Sequence, residues 1–262
     1  MSIKLQEEYG DKVQVVFVSG GRDTPEQVQA FALGKKWLGG NAAWTNEAPF
    51  ETGLGYIPAA VLLSSQGEVL LVGNPIEVHG KIVDLIDEDL DNSKKGPKDA
   101  PDAVKKAWTE FAKGGWAKAL TAAQAVIDKP PAKDAEPVVA AAKAALESFN
   151  KSIDERFGVV DLAVGSGRFE RALSELESIG KAVKGHADLT RRHADALAKV
   201  NGPDLKAERE ASAELSKLEK KLYGNGPDSG IAKQLNALAE KYTGTKAAER
   251  AVALAGIAEE ED

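Results

Sequence analysis

The chain has 262 residues, enough for two ordinary domains of roughly 100 to 200 residues each. Hydrophobic residues at 43% and charged residues at 29% are the proportions of a chain that folds around a core, which excludes a disordered or fibrous protein. A formal net charge of -7 and a pI near 5.2 exclude a basic nucleic-acid-binding surface, and the absence of cysteine excludes disulfides, thiolate nucleophiles and thiolate metal ligands.

Residues 1–9 are charged and polar, without the apolar run of about 7 to 15 residues that a secretory signal needs. Nowhere does the sequence approach the roughly 20 apolar residues of a spanning helix, so a soluble chain without an export address is expected. Val13-Gln14-Val15-Val16-Phe17-Val18 is β-branched and aromatic, and its nearly continuous apolarity predicts an interior strand covered on both faces. Thr24-Pro25-Glu26-Gln27 places a hydroxyl at an N-cap, a proline at the first helical position and a glutamine three residues after the cap, a capping box that predicts a helix over 25–38. Ala59-Ala60-Val61-Leu62-Leu63 and Glu68-Val69-Leu70-Leu71-Val72 flank the polar turn Ser64-Ser65-Gln66-Gly67 and predict an antiparallel hairpin. A helix over 76–90 follows, with Ile76, His79, Ile82, Val83 and Ile86 on one face.

The pattern then changes. Lys94-Lys95-Gly96-Pro97-Lys98-Asp99-Ala100-Pro101 is charged and turn-rich, the composition of an exposed linker, and everything after it reads as helix. The expected organisation is an α/β domain over 1–92, a linker over 93–102 and an all-α domain over 103–262. Val104, Ala107, Trp108 and Phe111, then Trp116, Leu120, Ala123 and Ile127 after Gly114-Gly115, predict a helical hairpin. Val138, Ala142, Ala145, Leu146, Phe149 and Ile153 mark a third helix, and Phe169, Leu173, Leu176 and Val183 a fourth. Further helices are expected over 205–222, 231–242 and 247–257, with alanine at contact positions permitting close approach.

The order strand, helix, Ile-Pro, hairpin, helix resembles the later part of a thioredoxin fold, in its TlpA-like and peroxiredoxin-related branch. Residues 9–19, the segment Gly55-Tyr56-Ile57-Pro58-Ala59, and Gln66-Gly67-Glu68-Val69 with Gly73 carry the likeness. It implies that Pro58 is cis and that Ile57 offers backbone hydrogen bonds to an extended peptide. It also implies a central strand and a helix bearing Cys-x-x-Cys ahead of residue 1, with residues 3–9 as the end of that helix, and an extracytoplasmic ancestry. Without that strand, residues 13–18 and the hairpin would have open edges, closed by new internal pairing or by a strand from another chain. In the helical part, Gly114-Gly115-Trp116-Ala117-Lys118-Ala119-Leu120 with Pro130, and Gly167-Arg168-Phe169-Glu170-Arg171-Ala172-Leu173, are similar to the middle of a tetratricopeptide repeat. The stretch from Tyr242 to Ala251 is similar to the start of a second repeat helix. Gly114 and Gly167 stand 53 positions apart, against about 34 in a regular repeat, so degenerate repeats and a plain bundle both remain open.

Other motifs fail on inspection. Asp87-Glu88-Asp89-Leu90-Asp91-Asn92 opens like a calcium loop but has Asn92 where the turn needs glycine and Lys98 where a bidentate glutamate belongs, so a solvated acidic helix end is expected. His79, His186 and His193 are too separated for a legible metal site, although His186 and His193 could share a helical face, exposed beside Arg191 and Arg192. Gly165-Ser166-Gly167-Arg168 lacks the lysine and strand of a phosphate loop and reads as an interhelix turn. Gly20-Gly21-Arg22 reads as a permissive turn sooner than an anion corner, and Glu259-Glu260-Glu261-Asp262 as a solvated terminus. The expected function is a redox-inactive thioredoxin-like module that engages a protein or peptide partner through Ile57 and Pro58, with no catalytic residue, metal or cofactor. The alternative is a fragment of a thiol-disulfide oxidoreductase whose Cys-x-x-Cys lies upstream, and a third is a structural protein without a specific ligand. Partner identity and oligomeric state are not legible.

Overall fold

The computed structural model describes residues 2–19, 23–35, 37, 43–45, 52–65, 67–93, 96–97 and 99–259. Of these, 71% are helical and 6% lie in strands, so the chain is mainly helical. It divides into two compact units: Met1–Phe50 with Val160–Ser174 and Ala198–Asp262, and Glu51–Val159 with Glu175–Leu197.

In the first unit, α1 (Ser2–Tyr9) is followed by β1 (Val16–Val18), α2 (Pro25–Gly34) and β2 (Ala43–Thr45). Gln6, 4% exposed, ties α1 to the chain entering β1: its Nε2 donates to the carbonyls of Gly10 at 2.8 Å and of Val13, and its Oε1 accepts from Val15 N–H at 2.7 Å. A buried amide that uses both its ends in this way satisfies backbone groups no strand partner reaches, which is why the strand starts only at Val16. β1 pairs parallel with β2, Val16 opposite Ala43 and Val18 opposite Thr45, and the connection through α2 makes a β-α-β crossover. The capping box forms as expected, with Gln27 N–H donating to Thr24 Oγ1 and Thr24 N–H to Gln27 Oε1. The expectation of a strand covered on both faces is corrected: Val16 is 50% and Val18 42% exposed, because only the side carrying Phe17 is covered, by a stacked Trp37 at 4.6 Å.

Three helices complete this unit: α9 (Lys206–Asn225), α10 (Ser229–Lys241) and α11 (Lys246–Glu259). Leu33 of α2 is fully buried among Leu215, Leu222, Leu235 and Leu254, so the α-β elements and the last three helices share one core. Helix α7 (Phe169–Ala182) starts here, and Phe169 N–H, buried at the helix end, donates to Ser212 Oγ of α9 at 3.0 Å. A donor orphaned by the helix terminus is thus satisfied from another helix.

The second unit opens with the predicted hairpin, β3 (Ala60–Leu63) antiparallel to β4 (Val69–Gly73), with a register shift at Leu62/Leu63. Of its turn, Gln66 lies outside the described residues. The next helix, α3 (His79–Ser93), buries Ile82 and Ile86. The expected face is corrected at its start: Ile76 belongs to the preceding turn, 80% exposed, because Asn74 Oδ1 accepts from Ile76 N–H at 2.9 Å and holds a turn that delays the helix. Helices α4 (Asp102–Ala112) and α5 (Trp116–Asp128) form the predicted hairpin, and α6 (Ala135–Gly165) runs well past the expected third helix. Phe149 stacks on Phe111 at 4.3 Å and meets Trp108 edge-on at 4.7 Å, an arrangement suited to aromatic quadrupoles. An additional helix, α8 (Ala187–Val200), fills a stretch the sequence reading left without an element.

Gly96, placed in the expected linker, is held against this cluster. Its φ is +74°, and a Cβ there would sit 2.4 Å from the Trp108 ring. Gly96→Ala is therefore expected to destabilise the protein by about 1–3 kcal/mol through overpacking and a left-handed backbone. Gly158→Ala, inside α6 with open space around it, should be neutral or stabilising. Urea denaturation of both variants checks the contrast.

Candidate functional site

The residues singled out by sequence lie just ahead of the hairpin. Tyr56 and Ile57 are in a bend before β3, Tyr56 47% and Ile57 88% exposed, and the Ile57–Pro58 peptide bond is cis, as the resemblance implies. Among the described residues nothing hydrogen-bonds the N–H or C=O of Ile57. The hairpin beside it exposes Leu63 and Val69, which sit opposite each other, and the exposed Ile76 follows β4. Free backbone donors and acceptors next to uncovered aliphatic side chains can take an extended apolar segment, each aliphatic group gaining about 1.5–3 kcal/mol if fully buried.

A second constellation belongs to the other unit. Glu219 of α9, Arg250 of α11, Tyr223 of α9 and Arg168 at the head of α7 face one another. Arg250 Nε lies 2.7 Å from Glu219 Oε1, yet that oxygen accepts no aligned hydrogen bond, so the pair is held by charge. Arg250 also donates to the Tyr223 hydroxyl at 3.4 Å. Burial pushes the Glu219 carboxyl above the ordinary glutamate range, although Arg250 and Arg168 pull it down. Burial and then the carboxylate of Glu219 push the Tyr223 phenol up. Burial, followed by the like charge of Arg250, holds Arg168 below the usual arginine range, although its side chain remains exposed at the surface. The group joins α9 and α11 to the residue that precedes α7.

The remaining sequence motifs find structural roles. Residues 87–92 lie inside α3, where no chelating loop can form, and Asp89 Oδ2 accepts from Ser65 N–H at 2.9 Å; Lys98 lies outside the described residues. The shared face of the two histidines is corrected. His186 precedes α8, its Nδ1 accepting from Leu189 N–H at 3.4 Å, while His193 is half-buried with Nε2 2.9 Å from the Leu176 carbonyl. Arg192 lies over Phe157 at 4.1 Å and pairs with Asp154. Gly167 makes the interhelix turn at φ +69°, and a Cβ there would meet Lys246 Cβ at 2.6 Å. The Gly20-Gly21-Arg22 turn and residues 260–262 lie outside the described residues. Among the described residues no three acid or histidine side chains converge as metal ligands, and no helix is long and apolar enough to cross a membrane.

The sequence reading missed a groove of about 470 Å³ in the second unit, between α5, α6 and the start of α8. Its signal is faint because the polar side chains lining it alternate with core leucines on three separate elements. No protein-family model, curated protein or solved structure matches the chain.

The ionic cluster carries a pH signature. A carboxyl whose folded pKa is raised contributes stability that is fully present below its unfolded pKa, near 4.3, and is lost as pH rises through the folded value. Glu219→Gln removes that titration, so the stability of the wild type relative to the variant should fall as pH rises above about 4. Thermal melts of both proteins across pH 4 to 8 read the difference; parallel profiles would contradict the burial-dominated environment.

Proposed function

We propose that this chain is a redox-inactive thioredoxin-like protein that works as a protein-interaction module. The first part of the reading rests on the sequence likeness, supported by the β-α-β crossover of residues 16–45, by Pro58 immediately ahead of an antiparallel hairpin, and by an amphipathic helix after it. The chain contains no cysteine, so within it the scaffold has no group for thiol-disulfide exchange. Binding is what the scaffold retains. The helical part is read as degenerate tetratricopeptide-like hairpins, supported by the tight α4–α5 pair joined through Gly114 at φ +78° and by the α10–α11 pair.

The observation that carries the function is Ile57: an isoleucine 88% exposed, with both backbone groups unengaged among the described residues, beside a hairpin with uncovered aliphatic side chains. Exposed aliphatic side chains grouped in this way mark an interaction surface sooner than a folding requirement. A panel of biotinylated ten-residue peptides of extended sequence, screened against the full chain, tests this. Peptides retained by the wild type should shift the backbone amides of residues 56–61 and 69–73 in NMR spectra. Ile57→Asp, at a position too exposed to disturb folding, should weaken them about tenfold, as expected for a lost hot-spot side chain. Undiminished binding by that variant would remove Ile57 from the interface and sink the reading.

A further inference from the structure

We infer that the groove between α5, α6 and the start of α8 is a binding site for a short extended peptide carrying basic side chains. This inference is independent of the Ile57–Pro58 corner and of the thioredoxin likeness. Leu120 of α5, Leu146 of α6 and Leu189 of α8 form the apolar floor. The α5 wall runs from Leu120 to Asp128, about 12 Å at the helical rise, a length that about four extended residues span. The volume of about 470 Å³ falls in the range of sites that hold small ligands.

The hydrogen bonds already made decide what the walls can still offer. Thr121 Oγ1 donates to the Ala117 carbonyl at 2.8 Å, so the hydroxyl is left as an acceptor. Gln124 Nε2 donates to Asp128 Oδ1 at 2.9 Å, which leaves Gln124 its Oε1 acceptor and one N–H donor, and leaves Asp128 Oδ2 as an acceptor. His186 Nδ1 accepts from Leu189 N–H, so Nε2 is the ring nitrogen left to donate. The Asn150 side chain makes no hydrogen bond among the described residues, so its carboxamide can both donate and accept, as a peptide backbone requires of a partner. The one formal charge in the lining is that of Asp128, which is negative, lies at the end of α5 and keeps Oδ2 open. A donor-rich cation with an apolar portion complements that set, and a peptide alternating lysine or arginine with leucine has both parts. An acidic peptide would bring its carboxylates against Asp128 and lose affinity.

The probe is acetyl-Lys-Leu-Lys-Leu-amide, titrated into the full chain and followed by the side-chain amide resonances of Asn150 and Gln124. Binding should be saturable and localised to α5, the middle of α6 and the start of α8, with acetyl-Glu-Leu-Glu-Leu-amide showing no response. Asp128→Lys should raise the dissociation constant at least about tenfold, and Asn150→Leu should also weaken binding if the charge variant folds poorly. The control for net charge is Asp102→Lys, which makes the same charge change at an exposed site in the first turn of α4. An equal loss in that control would overturn the proposal, because general attraction to an acidic protein would then explain the binding. So would equal binding of the acidic peptide, shifts confined to other regions, or no binding of either peptide at millimolar concentration.

Discussion

The burial of Leu33 among the last three helices is the contact on which the organisation of the first unit depends. Leu33 comes from α2, while Leu215, Leu222, Leu235 and Leu254 come from a stretch almost two hundred residues later. A short parallel pair of strands crossed by one helix buries too little to stand alone, since small sheets need further layers against which to place an apolar face. Here that layer is helical. Ala211, Ala232, Ala251 and Ala255 are all buried in the same cluster, and their small side chains let the helix axes approach closely enough to enclose the leucine. The chain ends are therefore joined by packing, a long-range contact of the kind whose loop closure must precede its reward.

Much of the local structure was legible because its signals are local. The capping box at Thr24 and Gln27, the hairpin either side of residues 64–67 and the α4–α5 pair are each specified within about a dozen residues, and the structure forms them. What was not legible depends on partners distant in sequence. The run 13–18 has the composition of a covered strand, but composition does not show that Gln6 will take the carbonyl of Val13 and the N–H of Val15, leaving only three residues in the strand. Helix α8 escaped because its inward positions include His193, which reaches the Leu176 carbonyl, and its polar residues interrupt the apolar stripe. Gly96 read as linker because nothing in its neighbours announces the Trp108 ring.

The same distinction applies to the sites. The cis Ile57–Pro58 bond was legible because an Ile-Pro pair before a hairpin is a contiguous motif, whereas the groove takes its lining from residues 120–128, 146–150 and 186–189. The ionic cluster was equally invisible, since Glu219 and Arg250 lie on two helices and Arg168 just ahead of a third. Its energetics favour specificity over stability. Desolvation of Glu219 outweighs the attraction of two guanidinium groups, so the pair contributes little net free energy, but mispairing any of the three helices would strand a half-buried charge. A set of alanine-rich helices, whose contact faces are chemically alike, gains from one interaction that only a single arrangement can satisfy.

The hairpin presents the opposite case, a surface that folding does not use. Its turn is tied to α3 by the hydrogen bond from Ser65 N–H to Asp89 Oδ2. Ile57 and Ile76 lie largely in water, 88% and 80% exposed, while Leu63 and Val69 are 44% and 58% exposed. Polar residues at those positions would serve solubility better, and strand edges in monomeric proteins are normally guarded by charge, proline or a covering element. Pro58 precedes β3 and Glu68 precedes β4, each next to an exposed aliphatic residue, Ile57 and Val69 respectively. Charged or proline residues beside an apolar strand limit indiscriminate pairing while leaving area that a complementary segment could bury.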